Sequence, residues 1–380
     1  MKIAFRTDAS LQMGSGHVMR CLTLADALKA KGAQCHFISR AHPGHLLEVI
    51  HQRGYKVDSI LPPVILAQTA IKTIAIKVPD PQQEPAHAAW LGSAWQTDAQ
   101  ETAAILGDLQ PDWLVVDHYA LDQRWEEALA PHYRKLLVID DLADRPHHCN
   151  LLLDQNWFSE HTASRYRNLV PLHCNCYLGP EYALLKPEYA QLRSNMPPRD
   201  GTVRRVLVFL GGSDPTNQTG KVLTALMQPS FAHLQVDMVI GQNHPDVEGI
   251  ASQVAARPGS TLHQGLPTLA HLMSRADLMI SAGGSTTWER LCLGLPGVVI
   301  SVAANQTNTN IALMNAGYID FLGEMNEVSV SNIADAVLHS LANAATLKAQ
   351  SSLGQKLVAG DGARVLCERL LEGNGVQDAT

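Results

Sequence analysis

The chain carries little charge and few aromatic rings: Asp, Glu, Lys and Arg make up 17% of its 380 residues, and Phe, Trp and Tyr only 5%. What charge there is leans acidic, with a formal net charge of −7 and an isoelectric point near 6.2. No nucleic-acid partner and no stable association with an acidic membrane is expected, because both favour basic patches. No apolar run approaches the ~20 residues needed to cross a bilayer. The N-terminus passes from one early lysine straight into a strand-like run, without the charged-then-apolar order of a signal peptide. Seven cysteines, odd in number and scattered, argue against a disulfide framework and for a reducing, cytoplasmic setting. Two nucleotide signatures are missing as well. There is no Gly-Lys-Ser/Thr of a P-loop, and no acidic ribose ligand ~20 residues beyond the Gly211-Gly212 turn. ATP hydrolysis and NAD-linked redox chemistry are both disfavoured. The pairs His147-His148-Cys149 and His173-Cys174-Asn175-Cys176 hold metal-ligand residue types without zinc spacing. Neither a metal nor a cofactor is expected.

What is present is a rhythm. Short β-rich runs alternate with Ala/Leu-rich helical stretches, the pattern of parallel sheets joined by right-handed crossovers. Strands are predicted at Lys2 to Phe5, Cys35 to Ser39, Trp113 to Val116, Leu136 to Ile139 and Leu151 to Leu153, and helices at Val18 to Lys31 and His45 to Arg53. Residues 79–103 read as a long surface excursion. A Pro/Gly-rich stretch at 187–202 reads as a linker. The rhythm then restarts with strands at Val203 to Leu210, Gln235 to Ile240, Leu278 to Ser281 and Val298 to Val302. The expected fold class is therefore α/β with two Rossmann-like, doubly wound domains facing a cleft. Residues 1–195 form the first and 203–358 the second, and the helical tail of 359–380 packs back on the first.

The stretch Arg6-Thr-Asp8-Ala-Ser-Leu-Gln-Met-Gly14-Ser15-Gly16-His17 sets a titratable imidazole at the mouth of a glycine turn, at the end of a strand. Open α/β sheets put their ligands there. At a helix N-terminus the imidazolium is disfavoured, so His17 reads as a neutral base, with Asp8 as the orienter of its other ring nitrogen. A helix cap or a packing residue would read the same way. Asp117-His118-Tyr119, Asp140-Asp141 and Asp154-Gln155-Asn156 follow strands and gather at the same sheet edge, although each carboxylate alone reads equally well as a turn former. In the second half, Ser281-Ala-Gly283-Gly284-Ser285-Thr286-Thr-Trp-Glu289 opens a helix. Its glycines admit a ligand to the backbone, its first amides suit a diphosphate, and Glu289 is placed to accept from ribose hydroxyls. Gly211-Gly212-Ser213 is a second such turn, and Asn305, Gln306 and Asn310 present amides suited to hydroxyl or acetamido groups.

Together with Leu178-Gly-Pro-Glu-Tyr182-Ala-Leu-Leu and Asp144-Arg145, these motifs resemble the UDP-sugar hydrolase family of bacterial pseudaminic acid synthesis, PseG, in the same order over nearly the whole chain. That family is similar to the peptidoglycan N-acetylglucosaminyltransferase, which implies the GT-B architecture. The resemblance implies hydrolysis of UDP-2,4-diacetamido-2,4,6-trideoxy-β-L-altropyranose to UDP and the free sugar, by water attack at the anomeric carbon with inversion. It implies His17 as the group acting on water, Tyr119 and Arg6 as substrate contacts, and Glu289 as the ribose ligand. UDP is a good leaving group, so one base suffices where an ordinary inverting glycosidase needs two carboxyl groups. A glycosyltransferase on the same scaffold, or a sugar-nucleotide sensor that needs the Ser281 to Glu289 motif but not His17, are the alternatives.

Overall fold

The computed structural model describes residues 1–61 and 84–372. Its first sheet has seven strands: β1 (Lys2–Thr7), β2 (Gln34–Arg40), β3 (Lys56–Ile60), β4 (Trp113–Asp117), β5 (Lys135–Ile139), β6 (Leu151–Asp154) and β7 (Asn175–Leu178). They lie in the order β3-β2-β1-β4-β5-β6-β7. The second sheet has six: β8 (Arg205–Phe209), β9 (Gln235–Ile240), β10 (Ser260–Gln264), β11 (Leu278–Ala282), β12 (Gly297–Ser301) and β13 (Asp320–Glu324), in the order β10-β9-β8-β11-β12-β13. Both follow the 3-2-1-4-5-6 order of doubly wound nucleotide-binding sheets. Neighbours β1–β2, β1–β4, β8–β9 and β8–β11 pair in parallel.

The central strands are apolar on both faces because helices cover both. In β8, Val206 and Val208 join one buried cluster and Leu207 the other; in β12, Val298 and Ile300 divide from Val299 in the same way. The helix Gly16–Ala30 buries Val18, Cys21, Leu22, Ala25 and Leu28, one stripe at helical spacing. It stops where Gly32, at φ +86°, lets the Ala33 amide reach back to the Leu28 carbonyl.

All four strands that the sequence pattern leaves out, β3, β7, β10 and β13, are sheet edges. Their faces are half solvated and their sequences polar (Lys-Val-Asp-Ser-Ile for β3), so no apolar run marks them. The expected surface excursion also needs correction. Residues 79–83 lie outside the described residues, but Trp95–Leu109 is a core helix that buries Asp98, Ala99, Thr102 and Leu106. Half of that buried stripe is polar, which hides it from a reading of periodicity.

The chain forms two compact units. Of the described residues, one holds 1–61, 84–154, 163–177 and 366–372; the other holds Gln155–Thr162 and Leu178–Val365. The division falls before the proline-rich stretch. That stretch is no free linker: Pro187–Asn195 is a helix, and Arg193 donates to the carbonyls of Gln355 (2.6 Å) and Val358 (2.8 Å) within the second unit. Arg199 is held by the Met273 and Ala276 carbonyls. Within the first unit, Trp113 Nε1 donates to the carbonyl of Leu370, on the helix Gly362–Glu372, at 3.1 Å. Among the described residues no helix is long and apolar enough to cross a membrane.

Candidate functional site

The two central strands of the first sheet, β1 and β4, are the point where the strand order reverses, and both end in chemistry-bearing residues. Thr7 lies in register with Asp117. After β1 the chain turns through Ser10 to Gly14, closed by a Gly14 amide to Ser10 carbonyl bond of 2.8 Å. Gly14 sits at φ +75°, which glycine tolerates and most side chains do not. Among the described residues, and apart from the adjoining chain, no atom comes within 4 Å of where a Cβ would stand on Gly14 or Gly16. Ser15 flanks the helix without a side-chain cap bond.

His17, in the helix's first turn, meets Asp117: Nδ1 lies 2.5 Å from Oδ1. A carboxylate at Nδ1 holds the ring proton there and leaves Nε2 as the basic nitrogen. Arg20, one turn on along the same face, binds both oxygens of Asp117 (2.6 and 2.7 Å) and reaches Asp141 at 2.9 Å. Burial pushes the Asp117 carboxyl pKa up, but Arg20 and then His17 outweigh it and hold the group well below the usual range. Asp117 is therefore an ionised, fully buried partner for the imidazole. The Tyr119 ring meets the other side of His17 edge-on, centroid to centroid 4.5 Å. Burial and then the neighbouring Asp141 raise the tyrosine's pKa, so its hydroxyl stays protonated.

The expectation that Asp8 orients His17 is corrected by this geometry. Asp8 accepts from Arg6 (2.5 Å), the Arg40 amide (2.7 Å) and Ser39 (3.3 Å), and its second oxygen faces His118 at 3.2 Å. Arg6 is likewise no substrate contact: it is fully buried between Asp8 and Asp98. Asp98 in turn receives Arg40 (2.8 Å) and Trp125 Nε1 (3.0 Å). Buried charges need such partners, so this lattice is the floor beneath the loop rather than its working surface. Asp140 and Asp154 are also taken up by arginines, Arg145 and Arg165 respectively. Asp117, present in the quoted motif, and Arg20 are the partners at His17 that sequence reasoning left without a role. Their signal was an acid closing an apolar strand and an arginine three residues after the histidine.

In the second unit, β8 and β11 play the part of β1 and β4. Gly211, at φ +109°, opens a turn with no atom near a would-be Cβ, followed by Gly212 and Ser213. Asp214 then accepts from the Gln218 and Thr219 amides at 2.9 and 2.8 Å, at the start of the helix Gln218–Leu226 that Asn217 caps through the Gly220 amide. After β11, Gly283 is required by packing, since a Cβ there would lie 1.9 Å from Asn310 Nδ2. Gly284, Ser285 and Thr286 follow, with Ser285 exposed and making no side-chain cap bond to the helix Thr286–Cys292. Asn305, Gln306 and Asn310 are not in a polar loop but on the helix Ala304–Asn315. Asn310 is fully buried and donates to Ser301 Oγ at 2.9 Å, and Gln306 accepts from the Val302 amide at 3.1 Å. Both are structural in this arrangement, while Asn305 lies on the exposed first turn.

Glu289 is partly buried beside Tyr189, and burial pushes its pKa from the usual 4.5 up to about 7, partly opposed by Tyr189 and Lys186. The folded state therefore favours the protonated carboxyl. That stabilisation is complete below pH 4.5 and is lost as pH rises through about 7. Glu289→Gln is expected to flatten this loss, so that the Tm of the native chain falls relative to the variant as pH rises from 4.5 to about 7. Parallel Tm profiles would remove the buried carboxyl from the account.

Residues 206–363 match the model of the glycosyltransferase family 28 C-terminal domain. An uncharacterized protein of Methanocaldococcus jannaschii is 23% identical over 315 residues, 79% of this chain and 55% of that protein. The spore coat polysaccharide biosynthesis protein SpsG of Bacillus subtilis is 33% identical over 146 residues, 38% of this chain and 43% of its own. The chain thus spans about half the length of these two relatives. The UDP-2,4-diacetamido-2,4,6-trideoxy-β-L-altropyranose hydrolase of Campylobacter jejuni is 23% identical over 320 residues, covering 84% of this chain and 98% of that enzyme. The resemblance carried by the motifs is thereby borne out along most of the chain. The crystal structure of Acinetobacter baumannii MurG superposes with a TM-score of 0.64 at 13% identity, over 98% of this chain and 99% of that one. The two α/β units have the GT-B fold.

Proposed function

We propose that the chain is a UDP-sugar-processing enzyme, and specifically that it hydrolyses UDP-2,4-diacetamido-2,4,6-trideoxy-β-L-altropyranose to UDP and the free sugar with inversion at the anomeric carbon. The observation that carries the reading is the 2.5 Å contact between His17 Nδ1 and the buried Asp117 carboxylate at the reversal point of the first sheet. A base aimed in this way takes a proton from water at Nε2, and Asp117 stabilises the imidazolium that results. Arg20 keeps Asp117 ionised and fixed. The leaving diphosphate needs no proton, so no second acid is required. On the second unit the Gly211-Gly212 and Gly283-Gly284 turns admit a diphosphate to the backbone, with Ser213, Ser285, Thr286 and Asn305 at their rims and Glu289 for the ribose. The hydrolase relative supports this choice of substrate.

A glycosyltransferase reading is favoured by one observation, the family 28 C-terminal match over 206–363. There the same His17 would deprotonate an acceptor hydroxyl. Proton NMR of the protein with the UDP-sugar in buffer alone separates the two. Release of UDP with the opposite anomer of free sugar is the expected result. A strict need for an added acceptor would overturn hydrolysis and leave transfer.

A further inference from the structure

Two rings near His17 have no part in the chemistry above. His87 flanks and Trp90 stands on the short 3-10 turn Ala88–Leu91, their centroids 4.3 Å apart. Both lean on Tyr119, at 5.5 Å from His87 and 5.9 Å from Trp90, and Tyr119 touches His17 at 4.5 Å. The turn is pinned from below. Leu91 is buried, and Gly92, at φ +72°, leaves so little room that a Cβ there would come 2.8 Å from His42. Tyr119 is buried, but His87 and Trp90 keep part of their faces open. Burial lowers the His87 pKa, with Asp144 opposing and Arg145 and His17 adding to it, so the ring is uncharged at neutral pH.

We infer that Trp90 and His87, backed by Tyr119, form an aromatic wall beside the base that selects sugars by a face carrying methyl groups instead of hydroxyls. The inference rests on the hydrolase reading and deepens it. Aromatic faces carry a negative quadrupole and attract the weakly positive C–H groups of a sugar. A hydroxyl pressed on such a wall loses water without gaining a partner, and that costs binding. In the substrate proposed above, the C6 methyl or an acetamido methyl would lie against Trp90, which makes Trp90 the residue that sets the preference. Preference over a 6-hydroxy counterpart should be about 10- to 100-fold in kcat/KM, the usual reach of an apolar contact.

The test uses two readouts. Saturation-transfer NMR is recorded with the non-hydrolysable phosphonate analogue of the UDP-linked diacetamido-6-deoxy sugar. Its methyl protons should receive the strongest saturation, and Trp90→Ala should abolish the effect while Trp90→Phe keeps most of it. In turnover, Trp90→Ala should reduce the preference for the 6-deoxy sugar over UDP-N-acetylglucosamine about tenfold, mainly through KM. Unsaturated methyls, or an unchanged preference in a folded Trp90→Ala protein, would overturn the wall. Absence of UDP release from any sugar would instead sink the hydrolase reading, and the NMR experiment would still decide for or against the wall.

Discussion

Replacing His17 with asparagine is expected to slow UDP release by about 10²–10⁴-fold, the usual contribution of a positioned general base. The loss should fall on kcat. The second unit holds the glycine turns and Glu289 proposed for the nucleotide, and His17 belongs to the first. UDP affinity measured by calorimetry should therefore stay close to that of the native chain. His17 is nearly buried, with its ring against Asp117, Arg20 and Tyr119, so asparagine leaves a modest gap and the fold should survive. Turnover within a few-fold of the native rate would remove His17 as the base. The sensor alternative would then regain ground, because it needs nucleotide binding and no histidine.

The second large effect belongs to Asp117→Asn. The shape is nearly conserved, but the carboxylate that holds the proton on Nδ1 is gone, and the imidazolium formed during the reaction loses its counter-charge. A loss of about 10²–10⁴-fold in kcat is expected by analogy with other buried Asp–His pairs. Stability should fall as well. Arg20 keeps Asp141 as a counter-charge, so the cost should fall below the ~3–5 kcal/mol of leaving a buried charge with no partner. Denaturant midpoints and kcat measured on the same samples separate the two effects. A variant that loses stability yet keeps its kcat would show that Asp117 only holds the sheet together.

How much of this could be read in advance differs by layer. The alternating pattern carried both sheets because their central strands are buried on both faces and read as plain apolar runs, as in Trp113-Leu-Val-Val. The edges escaped because half of each faces water. The helix Trp95–Leu109 escaped because its inward face carries Asp98, matched to Arg6 of β1 and Arg40 of β2, and Thr102, which donates to Asp98. Long-range ion pairing of that kind leaves no local trace. The position of His17 was legible, since a glycine turn between strand and helix announces itself. Its partner was not: Asp8 is nearer in sequence, but Asp117, one hundred residues away, is nearer in space. Gly283 looked like a ligand-facing residue, yet the packing of Asn310 already demands it.

The buried lattice of Arg6, Asp8, Arg40 and Asp98 has a consequence for anyone wishing to move this loop. The turn that carries His17 is not a detachable module. Its root is bolted to β2 through Arg40 and to the helix Trp95–Leu109 through Asp98. Grafting residues 6–20 onto another sheet would strand Arg6 and Asp8 without their counter-ions. A successful transplant has to carry three separated pieces of chain as one cassette. Loop shuffling among relatives should therefore succeed only when the residues at positions 40 and 98 travel with it.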